Sequence, residues 1–347
     1  MFIKDDPLIL STDTDKHPFQ QALLHTAVFK TKRPRAETLP YHRKDNLSML
    51  KSDRIQFIKN TEKMVSPREV GGLYQRAEML RKLPLKLQKF IIEKAGGDNP
   101  FISFIVEPYS FFLAYEISNI EEANKQLPHD YELVPCAMFD NTPPRYCAVI
   151  GIFNVHTSVF WGNRIELYLI AQNKKTGLLS WIINDYESNT ISYDPGRGFS
   201  GSSTKHAVVT TSYAGEIIVD IVSNHSPNQI ALTADLKTGQ QTPLNQRLWV
   251  EGNLSVDYGE GVENQESKPF GLIFDPQEMA HALKIPVDEV IIEQNTFGER
   301  FLAQHPFEVC SFPFAQHFLT TSFPIVSSIK DEDDLREAVK TFNEKQK

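Results

Sequence analysis

Strand-like segments follow one another at short intervals from Phe101 to about residue 320, and few helical segments separate them. Aromatic and β-branched residues dominate these segments, as in FISFIVEPYSFFLAYEI, YCAVIGIFNVHTSVF and RIELYLIAQN, which is typical of β-strands. Parallel strands need long crossover connections, usually helices, whereas antiparallel strands need only short turns. We therefore predict an α+β fold whose core is an antiparallel sheet or a closed barrel, and not a doubly wound α/β sheet.

The first hundred residues differ in composition and predict a separate, partly helical region. Residues 49–63 and 67–95 carry apolar side chains at helical spacing. Pro84 divides the second of these stretches into two helical pieces. We predict a basic N-terminal extension over residues 1–98 and a β-rich domain over residues 99–347, which closes with a C-terminal helix.

Charge is distributed unevenly along the chain. Residues 30–100 hold 17 Lys and Arg against 8 Asp and Glu, a balance of +9, although the whole chain carries −8. Such a segment can bind nucleic acid or an anionic membrane, or it can pack on acidic surface of the same chain or of a second subunit. Because the other residues together carry −17, we expect packing within the assembly, which we expect to be a homo-oligomer, and no binding of nucleic acid. An interaction protein that works through this basic region stays open as an alternative.

Several classes of protein are disfavoured by what the sequence lacks. No run approaches the roughly 18 to 20 apolar residues that a spanning helix needs, so no membrane span is predicted. Three scattered cysteines do not make a disulfide framework, which favours a cytoplasmic protein. There is no GxxxxGK[ST] phosphate loop, no HExxH pair and no closely spaced Cys/His quartet. We therefore expect neither a metal nor another cofactor.

One segment is a candidate reactive site: DPGRGFSGSSTKHAVV, at residues 194–209. Its glycines allow backbone conformations that other residues avoid. The segment leads to Lys205 and His206 at the start of an apolar strand. If burial disfavours its charged form, a lysine at this position can attack a ketone and form a Schiff base. The alternative is a solvated lysine at the end of a strand.

A second candidate lies in the strand-like segment RIELYLIA. Alternation along a strand places Arg164, Glu166 and Tyr168 on one face and the apolar residues between them on the other. If the polar face lines a cavity, Glu166 is placed to act as an acid or base, or to orient a substrate. If that face meets solvent, Arg164 and Glu166 form a surface ion pair of little energetic value.

The order of these segments resembles that of the acetoacetate decarboxylase superfamily over about residues 105–320. The matching pieces are, in order, LPHDYELVP, RIELYLIA, NKKTGLLSWIINDYE, GRGFSG and STKHAVV. The resemblance implies a β-rich core with the form of a barrel or cone. It also implies Schiff-base chemistry on a carbonyl compound, by a lysine whose pKa is lowered by desolvation or by a neighbouring cation.

Position by position, the resemblance makes Lys205 the nucleophile and Glu166 the active-site carboxylate. His206 stands where the family has a second lysine, and Gly196, Arg197 and Gly201 match the glycine-rich segment of the family. The residues predicted to bind substrate are Arg164, Arg197, His206 and Gly201.

Other positions depart from the family. Gly198 stands where the family has a glutamate, and Ser202–Thr204 replace its Phe-Pro. The stretches EPYSFFLAYE and YCAVIGIFNV hold no counterpart of its upstream arginine or its second glutamate. The leading hypothesis is a decarboxylase-like Schiff-base lyase acting on a keto acid or a related carbonyl compound. The alternative is a divergent, non-catalytic protein that binds a small apolar ligand in the same cavity.

Overall fold

The computed structural model describes residues 51–95, 101–194, 198–260 and 270–321, with a few positions between 336 and 344. The described residues all belong to one compact unit. The predictions for residues 1–50, for Gly196 and Arg197, and for most of the C-terminal helix lie outside the described residues. The boundary predicted between residues 98 and 99 stays a prediction.

Helices are few and short in the described ranges. The region before Phe101 holds α1 Lys51–Lys63, α2 Pro67–Gln75, α3 Ala77–Leu80 and α4 Leu85–Ala95, and α5 Ile120–Asn124 follows among the strands. Asn119 caps α5, since its side-chain oxygen accepts from the Glu122 amide. Within the described residues, no helix is both long enough and apolar enough to cross a membrane.

The strands begin at Phe101 and continue to Thr321. They are β1 Phe101–Val106, β2 Ser110–Ile117, β3 Tyr131–Leu133, β4 Pro135–Cys136, β5 Arg145–Thr157, β6 Trp161–Asn173, β7 Leu179–Ser188, β8 Ser192–Asp194, β9 Gly198–Ser200, β10 Thr204–Thr211, β11 Glu216–Ser223, β12 Gln229–Asp235, β13 Gln240–Pro243, β14 Val256–Tyr258, β15 Ile273–Phe274, β16 His281–Ile285, β17 Val290–Asn295, β18 Leu302–Phe312 and β19 Gln316–Thr321.

Most of these strands belong to one large sheet with the order β13-β16-β18-β2-β5-β1-β19-β15. The sheet branches at β5, where β2 and β1 share one edge and β6 pairs with the other; β7 and β14 continue beyond β6. Pairing is antiparallel, as predicted, except between β7 and β14. The order does not close on itself within the described ranges. Of the two alternatives predicted, an antiparallel sheet or a closed barrel, the described residues form a branched sheet, and no closed barrel is found among them.

A second sheet, with the order β10-β11-β12-β17, packs against one face of the large sheet. The alternation along β5 shows how the two faces differ. Ile150 and Ile152 join the apolar cluster shared with the second sheet, whereas Val149 and Phe153 join a larger cluster on the opposite face. Each face of the central strands is thus buried, which explains why the strand segments are apolar at nearly every position.

Helices α1 to α4 pack directly on the strands. Phe57 of α1 and Ile92 of α4 are buried, and the Ser103 hydroxyl of β1 donates to the Thr61 carbonyl of α1 over 2.9 Å. For the part of the basic region that is described, residues 51–95, the prediction of packing on the core is confirmed. Leu87 and Phe90, two apolar residues of α4, lie outside this contact and are 43% and 52% exposed.

Two segments differ in secondary structure from what the sequence predicts. The sequence RLWVEGNL at residues 247–254 predicts a strand, but these residues form a π-helical turn at Arg247–Glu251 and a 3-10 turn at Gly252–Leu254. The sequence DPQEMAHAL at residues 275–283 predicts a short helix, but these residues form a 3-10 turn at Pro276–Met279 and then enter β16. In both cases tertiary packing decides the outcome, because short segments carry weak local preferences.

Candidate functional site

A cavity of about 140 Å³ lies on the face of the large sheet that the second sheet does not cover. Side chains from β1, β5, β6, β7 and β19 contribute to its wall, together with the π-helical turn. Most of the wall is apolar and much of it is aromatic. The aromatic residues that line it are Phe104, Phe112, Phe153, Phe160, Tyr168, Trp181, Tyr193, Trp249, Phe270 and Phe318.

Arg164 and Glu166 of β6 form the charged part of the wall. Their side chains are only 3% and 7% exposed. The Arg164 Nε donates to Glu166 Oε1, and the Arg164 Nη1 donates to the Ser192 hydroxyl on β8. The Tyr168 hydroxyl donates to Glu166 Oε2, and the guanidinium lies 4.2 Å from the centroid of the Tyr186 ring. These additional partners offset part of the cost of burying both charges.

The alternation predicted for β6 is therefore observed. Arg164, Glu166 and Tyr168 line the cavity, while Ile165 and Leu167 join the apolar cluster on the other face of the sheet. Of the two readings left open by the sequence, the buried one is correct, and a surface ion pair is excluded.

Two indole rings present apolar surface to the cavity because their polar atoms are bonded elsewhere. The Trp181 Nε1 donates to the Leu248 carbonyl, and the Trp249 Nε1 donates to the Met138 carbonyl, each over 2.9 Å. The centroids of the two rings are 5.4 Å apart. The Phe112 ring meets Trp249 edge-on at 5.1 Å. Such contacts hold large side chains in fixed positions, so this wall is preformed.

Gly151 of β5 makes room for this arrangement. It pairs with Glu166 across the β5–β6 ladder. A Cβ at this position would lie 2.8 Å from Phe112 Cε1 and 3.3 Å from Tyr168 Cε2. Any larger residue would therefore displace two rings of the cavity wall.

Lys205 does not lie at this site. It is exposed on β10, in the second sheet, and it is not among the residues that line the cavity. The β10–β11 ladder shifts between Thr204 and His206, so Lys205 is the extra residue of a β-bulge. The structure does not bring the two predicted catalytic residues together at this cavity, because Glu166 lines its wall while Lys205 is exposed on β10.

Of the other residues predicted to bind substrate, one lines the cavity and two of those described do not. Arg164 lines the cavity, as described above. His206 is exposed and lies 2.9 Å from Asp220 on β11. Gly201 is half-buried beside α3, where a Cβ would lie 3.0 Å from Arg81 Nη1. Neither His206 nor Gly201 lines the cavity.

Strand β19 contributes both to the cavity and to the contact with α1. Three alternate residues of β19 line the cavity: Gln316, Phe318 and Thr320. Between them lies His317, whose Nδ1 is 2.8 Å from Glu278 and whose Nε2 is 3.2 Å from Glu62 on α1. Burial alone would lower the pKa of His317, but the two carboxylates together raise it. Burial raises the pKa of Glu278, although His317 opposes this.

Sequence reasoning missed most of the aromatic wall. In β1 and β19 every second residue lines the cavity, including Phe104 and Phe318, and this period of two can be read from the sequence. Trp249 gives no such signal, because its segment was predicted as a strand and is a helical turn. The cavity forms only when strands far apart in the sequence pair with each other, as β1 pairs with β19. A local sequence pattern does not show these pairings.

No protein-family model matches the chain, and no curated protein gives a significant match. Three solved structures resemble part of it. Acetoacetate decarboxylase from Legionella pneumophila is 13% identical, with a TM-score of 0.43 over 65% of this chain and 87% of that one. The enduracididine biosynthesis enzyme MppR with HEPES buffer bound is 8% identical, with a TM-score of 0.40 over 65% of this chain and 86% of that one.

A third structure, described as a structural study of acetoacetate decarboxylase, is 10% identical, with a TM-score of 0.39 over 65% of this chain and 91% of that one. The resemblance predicted from the sequence is thus confirmed as a partial similarity of fold. It carries no argument about chemistry, and the site is interpreted from its own residues.

Proposed function

We propose that the protein binds a small, predominantly apolar molecule, about one aromatic ring in size, in the cavity described above. The observation that carries this proposal is a cavity of about 140 Å³ lined mostly by apolar side chains, with the Arg164–Glu166 pair and a few uncharged polar residues in its wall. Engineered apolar cavities of about 150 Å³ bind benzene. Natural ligand sites combine apolar walls with a few placed polar groups that fix orientation.

Binding is better supported than Schiff-base catalysis. A Schiff-base nucleophile must be a neutral amine that contacts the carbonyl carbon of the substrate. Lys205 is exposed, and the cavity-lining residues in the described part of the chain include no lysine. Glu166 remains placed to orient a ligand, with Tyr168 and Arg164 beside it.

A panel of single-ring compounds tests the proposal. Trp181 and Trp249 line the cavity, so a bound ring should change the tryptophan fluorescence and raise the Tm. Val256→Phe adds a ring to the cavity wall and should abolish both effects. The matched control is Val208→Phe, since Val208 is 42% exposed on β10 and lies outside the cavity.

The result expected is a saturable signal in the wild type and in Val208→Phe, and none in a folded Val256→Phe. If no compound in the panel gives a saturable signal with the wild type, or if Val256→Phe binds as well as the wild type, the cavity is not the binding site.

A further inference from the structure

Gly252 lies directly beside one of the aromatic rings of the cavity wall. A Cβ at this position would lie 2.4 Å from Trp181 Nε1 and 2.6 Å from Trp181 Cδ1. Trp181 lines the cavity, whereas Gly252 does not. Side chains do not approach each other this closely, so any residue larger than glycine at position 252 requires the indole to move.

The backbone at Gly252 does not itself require glycine. Its φ of −60° and ψ of −34° are helical values that any residue adopts without strain. Replacement of glycine by alanine in such a conformation usually stabilises a protein, provided that the methyl group has space. Here the indole of Trp181 occupies that space. The absence of a side chain at Gly252 is therefore matched to the ring beside it, and not to a turn of the chain.

Other contacts hold the indole of Trp181 in place. Its Nε1 donates to the Leu248 carbonyl over 2.9 Å, and its ring centroid lies 4.9 Å from that of Tyr168 and 5.4 Å from that of Trp249. Because protein interiors are close-packed, a displaced ring moves to where space exists. The indole already forms part of the cavity wall, so the space that it can enter is the cavity.

We propose that Gly252 sets the size of the largest ligand that the cavity accepts, by determining how far the Trp181 ring extends into it. With glycine at this position, a cavity of about 140 Å³ accepts a single six-membered ring with a small substituent, and two fused rings are too large. Gly252 is a positioning residue, since it acts through Trp181 and does not touch the ligand. The inference rests on the proposed binding function but can fail separately from it.

Phenol, 4-methylphenol and 2-naphthol test the proposal, because they carry the same hydroxyl group on aromatic groups of increasing size. The wild type should bind 2-naphthol at least about tenfold more weakly than 4-methylphenol by isothermal titration calorimetry. In Gly252→Ala the Kd for 4-methylphenol should rise at least about tenfold, and the Kd for phenol should rise less, because the displaced indole takes the space of the methyl group first. A role confined to stability would change both Kd values by the same factor.

A smaller ring at position 181 should rescue the variant. In Gly252→Ala/Trp181→Phe the phenyl ring has no Nε1, so the alanine Cβ has space and the cavity is larger. This double variant and Trp181→Phe alone should each bind 2-naphthol at least about tenfold more tightly than the wild type. Gly71→Ala is the matched control: Gly71 lies in α2, a Cβ there has no heavy atom within 4 Å, and the three Kd values should not change.

Urea unfolding of the same proteins measures the contact without a ligand, with Trp161 and Trp249 as reporters in the variants that lack Trp181. Gly252→Ala should lower the midpoint clearly when Trp181 is present and much less when it is Phe, because the methyl group meets the indole. If Gly252→Ala does not fold but the double variant does, the same conclusion follows. Equal shifts in both backgrounds would show that Gly252 does not position Trp181.

The outcomes separate the two proposals. If no compound binds to the wild type, the proposed function fails and the size limit fails with it. If the compounds bind but Gly252→Ala weakens phenol and 4-methylphenol equally, the binding function stands and the role of Gly252 in size selection is overturned. The same holds if Trp181→Phe binds 2-naphthol no better than the wild type does.

Discussion

Removal of Glu166 should destabilise the protein far more than removal of the whole ion pair. In Glu166→Leu the Arg164 guanidinium keeps its charge while 3% exposed, and the Tyr168 hydroxyl loses its acceptor. Breaking a buried pair in this way costs about 3 to 5 kcal/mol. The double variant Arg164→Met/Glu166→Leu removes both charges of this pair, and buried pairs replaced by apolar residues are often neutral or stabilising. Unpaired hydroxyls at Ser192 and Tyr168 oppose this, so we expect a loss of at most about 2 kcal/mol.

Urea unfolding followed by tryptophan fluorescence measures these differences as shifts in midpoint at constant m. A matched control is the exposed pair Arg145–Glu116, where the Nη1–Oε2 distance is 2.8 Å and the side chains are 44% and 51% exposed. Glu116→Leu should change the free energy of unfolding by less than about 1 kcal/mol. If Glu166→Leu costs no more than Glu116→Leu, or if the double variant is as unstable as the single one, the Arg164–Glu166 pair does not depend on mutual compensation of buried charge.

Three further predictions concern other parts of the structure. Gly151→Ala should push the Phe112 ring into the cavity, so the free energy of ligand binding should fall at least as much as the free energy of unfolding. An unchanged ligand affinity by calorimetry would contradict this. Because the carboxylates of Glu62 and Glu278 raise the pKa of His317, its contribution to stability is full below its unfolded pKa, about 6.5, and is lost as the pH rises through its folded pKa. The destabilisation by His317→Gln should therefore be larger at pH 6 than at pH 9. If the urea midpoints of wild type and variant differ by the same amount at both pH values, the charged imidazole of His317 does not stabilise the fold. Borohydride reduction in the presence of keto acids should leave Lys205 without an adduct by mass spectrometry; a trapped adduct there would restore the Schiff-base hypothesis.

Local patterns in the sequence predicted local structure well. The hairpin of β10 and β11 turns at Gly215, whose φ is +85°, a conformation that glycine adopts without strain. The helices before Phe101 are interrupted at Pro84, as expected. The alternation in β6 predicted which side chains share a face, because strand geometry alone determines this.

The position of Lys205 could not be predicted in the same way. One extra residue in β10 shifts every later side chain relative to the partner strand, and the sequence of the segment does not show where a bulge lies. The cavity could not be predicted either, because its wall combines β1, β7 and β19, which are far apart in the sequence. A local motif therefore suggested a lysine that the assembled sheet leaves at the surface.

Because both faces of β19 make specific contacts, the number of residues in the turn before it is constrained. Gln316 and Phe318 face the cavity, while His317 and Leu319 contact α1 or its apolar surroundings. Only residues 313–315 separate β19 from the end of β18. Inserting or deleting one residue there would exchange the two faces, placing an imidazole in the cavity wall and a phenyl ring against Glu62. Such a change would disrupt both the cavity wall and the contact between β19 and α1. Insertions and deletions in related sequences should therefore be rare in residues 313–315 and more frequent in loops next to strands that have only one buried face.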